Sequence, residues 1–551
     1  MHSLSQGDGR VPQYVNRLLG KTNAITALMI IATIAFVHQA TTNSDFVSLR
    51  MKISENALLA GIVTERYSDF SKLKNYQREL HSRRNGDIYG FIAQELTKNG
   101  VEVYRQQYRT TLKQYEQFAG TTVYGVVPSF RSASVEAIIV AVKVDPEAYE
   151  SIAVALALAS YCREQTYWAR NIIFLFVDNE VGMEAWLSAY HGRKHSFMEF
   201  RSIEKHAGAI VGGLVIDFRG FSKKAHLNIN FNMMNGRLPN LDLVNVVQRL
   251  CGKFDFVPTI YNRTNADDPT ETAAIGVFSQ AFVELQGIHS VFGDYGIQIV
   301  AIETRGPRGG ADHSYNLLRL TQLNEGALRA LNNILEKLHQ SYFMYVLLGT
   351  EQFLSIAYFM IPIATMFIPL LFFAIRCWLQ LRIFSIPYVF LISHIVGFGL
   401  TVLTAPLFSR VYSNDLLFYT SILMLTPFSL LFNSNDDELK TLKFLIYLEG
   451  ALVGSSLSLL NFGLGFIIST VIVFANVINT FVTKKPFSFL KSALLLCIHP
   501  LGLLIYSNTL DHIVYTYMMH NSALLPIFCA FAIPYWNLLI YTDLKSSSDF
   551  V

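Results

Sequence analysis

The sequence predicts an α/β domain with a mainly parallel sheet, joined to an all-α bundle of transmembrane helices. Three observations carry that reading. Only 15% of the 551 residues are charged, against roughly 25% in soluble domains, and those charges crowd between about residues 45 and 340. Within that stretch, continuous apolar strands alternate with helical segments, the pattern of a sheet covered on both faces. Beyond about residue 345, apolar runs approaching the ~20 residues needed to span a bilayer follow one another. A net charge of +3, with no basic stripe interleaved with aromatics, excludes nucleic acid as a partner.

Residues 22–44 carry no Lys, Arg, Asp or Glu and follow Arg10, Arg17 and Lys21. A cleaved signal peptide would share that pattern, but "VHQATT" lacks a small-x-small cleavage site, so the segment reads as an uncleaved anchor. Seven further spans are expected near 353–375, 384–407, 416–432, 443–460, 462–482, 489–506 and 522–541, the fifth and sixth of the eight separated by "NFGLG". A cytosolic N-terminus then puts Arg376, Arg382, Lys440, Lys443, Lys484, Lys485 and Lys545 on the cytosolic side, as the positive-inside rule asks. The expected division is a cytosolic segment 1–21, a first helix 22–44, an exoplasmic domain 45–345, a bundle of about seven helices 346–541 and a cytosolic tail 542–551. The sequon Asn262-Arg263-Thr264 falls in the exoplasmic part and marks Asn262 for glycosylation.

In that part, residues 135–145, 171–177, 207–220, 227–233 and 297–306 read as strands. Residues 150–164, 182–192 and "NLDLVNVVQRLCGK" read as helices. Asp145, Asp178 with Glu180, and Asp217 stand at strand ends, where a parallel sheet lines its ligand crevice. Asp and Asn also favour strand-terminal turns, so a metal or substrate site and a plain turn both fit. Cys162 and Cys251 are the pair that could form a disulfide in an oxidising compartment; no CxxC is present.

"AIIVAVKVD", "FLFVDNEVG" and "LVIDFRG", in that order, resemble zinc aminopeptidases of the M28 type. The resemblance implies a metal site in which the first strand ends in His-x-Asp, the second in Glu-Glu and the third in Asp. Here Lys143 replaces the His, Asp145 matches, Asn179-Glu180 replaces Glu-Glu, Asp217 matches, and His313 in "GGADHSY" is the candidate final ligand. Asn179 cannot accept a proton from metal-bound water, and Lys143 would repel a cation. The expectation is therefore no cofactor, with Asp145, Glu180, Asp217 and His313 as ligands if a single zinc is held.

Over nearly its whole length the chain resembles the GPI-anchor attachment protein 1 family. "SENALLAG", "TTVYGVV", "YWARNIIFLF", "GMEAWLSAYHG", "NGRLPNLDLVN", "LHQSYFMYVLLG" and "NFGLGF" carry the likeness. It implies a non-catalytic subunit of the GPI transamidase in the endoplasmic reticulum membrane, with the large domain luminal and both termini cytosolic. Its implied partners are a caspase-like catalytic subunit, the GPI lipid and the preprotein's C-terminal signal. The rival readings are a metal-dependent peptide synthetase or peptidase using the luminal carboxylates, and a transporter. Within the spans, His394, Glu449 and His499 are the ionisable residues, and Glu449, Asn461 and Phe462 are candidate lipid contacts. Met183, Trp186 and Tyr190 share a helical face and read as core, His191 as a helix cap.

Overall fold

The computed structural model describes residues 20–42, 49–50, 53, 58–59, 64–83, 86–111, 119–130, 135–222, 225–283, 285–307, 313–334, 343–381, 383–410, 434–481, 495, 499–500 and 510–548. The chain divides into two compact units, one of Thr41–Ile356 and one of Met1–Ala40 with Ala357–Val551.

Helix α1 covers Thr22–Thr42. The sheet unit then runs β1 (Leu49–Arg50), α2 (Phe70–Ser82), α3 (Ile88–Lys98), β2 (Glu102–Thr110), β3 (Ala119–Val127), β4 (Glu136–Lys143), α4 (Tyr149–Glu164), β5 (Asn171–Val177), α5 (Glu180–Tyr190), β6 (Met198–Phe200), β7 (Ala209–Arg219), β8 (His226–Asn230), α6 (Leu241–Lys253), β9 (Val257–Ile260), α7 (Pro269–Phe282), β10 (Gln298–Arg305), α8 (His313–Asn333), β11 (Tyr345–Leu347) and β12 (Gln352–Ser355). Nine strands form one sheet in the order β6-β2-β3-β5-β4-β7-β10-β8-β9, and β1-β12-β11 form a second.

The parallel arrangement expected from the apolar runs is present in the centre, where β5, β4, β7 and β10 all run the same way. The whole sheet is mixed, which corrects "mainly parallel": β2–β3, β2–β6, β3–β5 and β8–β10 are antiparallel. The reason is connection length. The segment from β2 to β3, like that from β7 to β8, is too short for the helical crossover a parallel return needs.

Two apolar layers cover the sheet. On one face Ile138, Val140 and Val142 pack with Ile152, Leu156 and Ala159 of α4 and with Leu320 and Leu328 of α8. On the other, Ile139, Ala141 and Leu175 pack with Met183, Trp186 and Leu187 of α5. Met183 and Trp186 are buried, and the Trp186 ring stacks on Tyr190 at 4.8 Å and meets Tyr124 edge-on. The core reading of that helix face holds. His191 caps α5 through its backbone N–H and Nδ1. Cys162 and Cys251 are buried and unbonded, and burial pushes both thiols up.

The helical unit contains α1, α9 (Ile356–Leu379), α10 (Tyr388–Arg410), α11 (Asp436–Leu460), α12 (Phe462–Phe481), α13 (Leu510–His520), α14 (Leu524–Ile527) and α15 (Ile533–Ser548). Among the described residues, four helical stretches are long and apolar enough to cross a membrane: Thr22–Thr42, Ile356–Leu379, Asp436–Leu460 and Leu524–Lys545. The expected span 416–432, and nearly all of 489–506, lie outside the described residues. A wider π turn, Phe528–Ala532, precedes Pro534, whose missing N–H cannot close a normal turn. The junction of the fifth and sixth expected spans is tighter than "NFGLG" suggested. Asn461 alone separates α11 from α12 and accepts the Leu464 N–H at 3.0 Å. Gly465 permits this, since a Cβ there would stand 2.3 Å from the Ser458 backbone.

Candidate functional site

The carboxyl ends of the central strands place the expected acidic groups in one neighbourhood. Asp145 lies just past β4, Glu180 opens α5 after β5, and Asp217 sits inside β7 rather than at its end. The pairing register aligns Asp217, Glu303, Asn228 and Thr259 in one row across β7, β10, β8 and β9.

Arg219 organises this edge. Strand alternation puts Asp217 and Arg219 on one face, and Arg219 Nε donates to Asp217 Oδ1 at 2.8 Å. Its Nη1 lies 3.4 Å from Asp145 Oδ2 and 3.8 Å from Glu147 Oε2. Lys143 Nζ donates to Glu180 Oε1 at 3.1 Å. His313 stands apart from that group: its Nε2 is 3.0 Å from Glu150 Oε1, and Glu150 Oε2 accepts the Gly220 N–H. Among the described residues no three His, Cys, Asp or Glu side chains gather as a metal ion requires. The residues do not fit a zinc centre. A guanidinium lies between two of the four candidate ligands, an ammonium holds the third, and the fourth is engaged elsewhere.

Asn179, the residue that the aminopeptidase resemblance sets against a base, has a structural task. Its Oδ1 accepts the Gly182 N–H at 2.8 Å and caps α5, a role Asn fills well. The neighbouring Asp178 is turned toward β2, where Tyr108 Oη donates to both carboxylate oxygens at 2.7 and 2.6 Å. Burial raises the Asp178 pKa above the usual carboxylate range despite these bonds. Gly120 leaves room for this contact, since a Cβ there would fall 2.2 Å from Asp178 Oδ2.

Burial raises Glu303, which lies beside Asp217 in the strand register and whose oxygens accept from Asn228 and Asn230 at 3.4 and 3.2 Å. His289, 1% exposed, is pushed down to about 4 by burial. Sequence reasoning missed Tyr108, Arg219, His289 and Glu303. The period-two spacing of Asp217 and Arg219 was the one signal that could have found the guanidinium; the others depend on strand register.

In the helical unit His394 of α10 and Glu449 of α11 meet, Nε2 donating to Oε1 at 2.7 Å. Glu449 is therefore an interhelical partner in the middle of α11, not a solvated helix end. His499 pairs with Asn537 of α15 at 3.1 Å, and Asn476 of α12 donates to Tyr535 of α15 at 2.8 Å. Phe462 packs against Phe359 of α9, ring centroids 4.3 Å apart, and Asn461 caps α12, so both have packing roles. Asn262 is exposed in the turn after β9.

A family model described as "Gaa1-like, GPI transamidase component" matches residues 119–540. The GPI transamidase component GAA1 of Saccharomyces cerevisiae is 25% identical over 476 residues, which cover 80% of this chain and 73% of that protein. The corresponding component of Schizosaccharomyces pombe is 24% identical over 458 residues, covering 77% and 76%. Among solved structures, Fimbriiglobus ruber glutaminyl cyclase shares 12% identity over 49% of this chain and 97% of its own, with a TM-score of 0.36. A putative zinc-dependent exopeptidase from Bacteroides vulgatus shares 13% over 47% and 96%, with a TM-score of 0.34. Both structural likenesses are slight.

Proposed function

The chain belongs to the Gaa1-like family of GPI transamidase components, and we propose that it serves that complex without performing the bond exchange itself. In this reading it presents the GPI lipid and the preprotein's C-terminal signal to a caspase-like catalytic subunit and helps hold the complex together. The chain is a membrane protein. The proposed setting is the endoplasmic reticulum, with the sheet unit in the lumen, both termini cytosolic and Asn262 glycosylated.

One observation carries the non-catalytic reading. The crevice that would have to activate a water or an amine is charge-compensated by the chain's own Arg219 and Lys143. Asn179, bound to a backbone N–H, offers no base at the helix start. What remains is a strand-end edge of partly exposed carboxylates and amides, suited to holding a polar group and not to moving a proton from it.

The test is complementation of cells depleted of the chain. Asp217→Ala and Glu180→Gln variants are expected to restore GPI attachment to a reporter and to co-purify with the caspase-like subunit. Lost attachment with co-purification intact, together with stoichiometric metal in the purified wild-type chain, would establish the metal-dependent peptide synthetase or peptidase instead.

A further inference from the structure

Helix α7 is built the wrong way round for a helix facing water. It buries its small residues, Thr272, Ala273, Gly276, Ser279 and Ala281. Its large apolar ones face outward: Phe278 is 57% exposed, Ile275 36%, and Val283, which ends the helix, 40%. Phe282 packs its ring on Phe278 at 5.3 Å and extends the stripe by a turn. No charged residue occurs between Glu271 and Glu284. A soluble surface helix shows the opposite distribution, and a continuous exposed apolar face marks a contact surface.

The position of α7 in the fold says which contact. The helix packs against β11. Just ahead of it, Asn265 Oδ1 accepts the N–H groups of Thr350 at 2.8 Å and Glu351 at 3.2 Å, in the β11–β12 turn. Strand β12 pairs with β1 and runs directly into the apolar helix α9 at Ile356, while β1 begins soon after the apolar helix α1 ends at Thr42. The small sheet is thus the place where both flanking membrane segments leave this unit, and α7 leans on it. Phe343 and Met344, immediately before β11, are exposed as well, at 41% and 40%.

We propose that α7 lies on the bilayer, its Ile275–Phe278–Phe282–Val283 stripe in the headgroup–acyl boundary of a neutral lipid surface. The apolar side chains supply the affinity. The lack of Lys and Arg on the helix means attraction to anionic lipid is not required.

The full chain, in phosphatidylcholine nanodiscs, tests this with Phe278 replaced by the photo-crosslinker p-benzoylphenylalanine. The control carries the same replacement at exposed Glu199 on β6, the opposite edge of the nine-stranded sheet from β9. Lipid adducts read by mass spectrometry should exceed the control by roughly threefold or more. With the crosslinker at position 275, Phe278→Asp should lower lipid adducts by a similar factor while leaving the thermal unfolding midpoint unchanged. Equal adducts at positions 278 and 199 would overturn the proposal. So would adducts at position 278 that go to protein subunits and not to lipid in the purified complex.

Discussion

At the strand ends Arg219 serves three carboxylates, whereas in the helical unit side chains pair across helices, His394 with Glu449 and Asn476 with Tyr535. The crevice side chains are partly wet, with Arg219 24% and Asp145 27% exposed. Water there shares the task of solvating charge, and contacts can be loose, as 3.4 and 3.8 Å distances are. In an apolar surrounding water is not available for that task, so a polar group there needs a specific partner within the protein. The same chemistry therefore makes a diffuse network in one place and discrete pins in the other.

The largest effect should come from breaking a pin. His394→Leu leaves Glu449 without its interhelical donor and is expected to cost about 2–3 kcal/mol. The double variant His394→Leu/Glu449→Leu should recover most of it, because an apolar pair satisfies the same environment. Thermal unfolding in nanodiscs measures both, and a double variant as unstable as the single would remove the contrast with the crevice.

A second expectation concerns buried His289. Its folded pKa, about 4, lies below the unfolded value near 6.5. The unfolded chain then binds more protons between those values, so stability falls as pH drops from about 6.5 toward 4, by up to roughly 3 kcal/mol. His289→Phe should flatten that slope in a pH series of unfolding midpoints. An unchanged slope would mean that another group carries the acid response.

The smallest effect is expected at the network. Arg219→Gln removes one cation from a partly hydrated cluster and should cost about 1 kcal/mol, more at low salt than at high salt. A loss as large as that of His394→Leu would show that the crevice behaves like the bilayer interior, and the comparison would fail.

Much of the fold was legible in the residues. The runs 171–177 and 150–164 form the strand and helix expected of them, nearly to the residue, because apolar continuity and period are local properties. For the same reason the apolar runs near 22–44, 353–375, 443–460 and 522–541 form, among the described residues, helices long and apolar enough to cross a membrane. Strand direction was less so: "TTVYGVV" has the composition of a buried strand either way, and only its short link to β2 makes it antiparallel. The site was half legible. Asp145, Glu180 and Asp217 do lie at or near the carboxyl ends of the neighbouring parallel strands β4, β5 and β7, but they are held by Arg219 and Lys143 and not grouped with His313, and Arg219, Tyr108 and His289 went unforeseen.

The sequence by itself determined which stretches are strands, which are helices, and which helices are apolar enough to cross a membrane, since these follow from side-chain chemistry read over a few turns. Tertiary structure alone decided who neutralises whom. Arg219 reaches Asp145 because β4 and β7 are neighbours in parallel, Lys143 reaches Glu180 because β4 and β5 are, and Glu449 finds His394 because α10 and α11 meet. It also decided that α7 turns its phenylalanines outward, a choice between two faces of one apolar helix that composition cannot make. Pairing and facing depend on contacts between distant segments, and no local pattern encodes those.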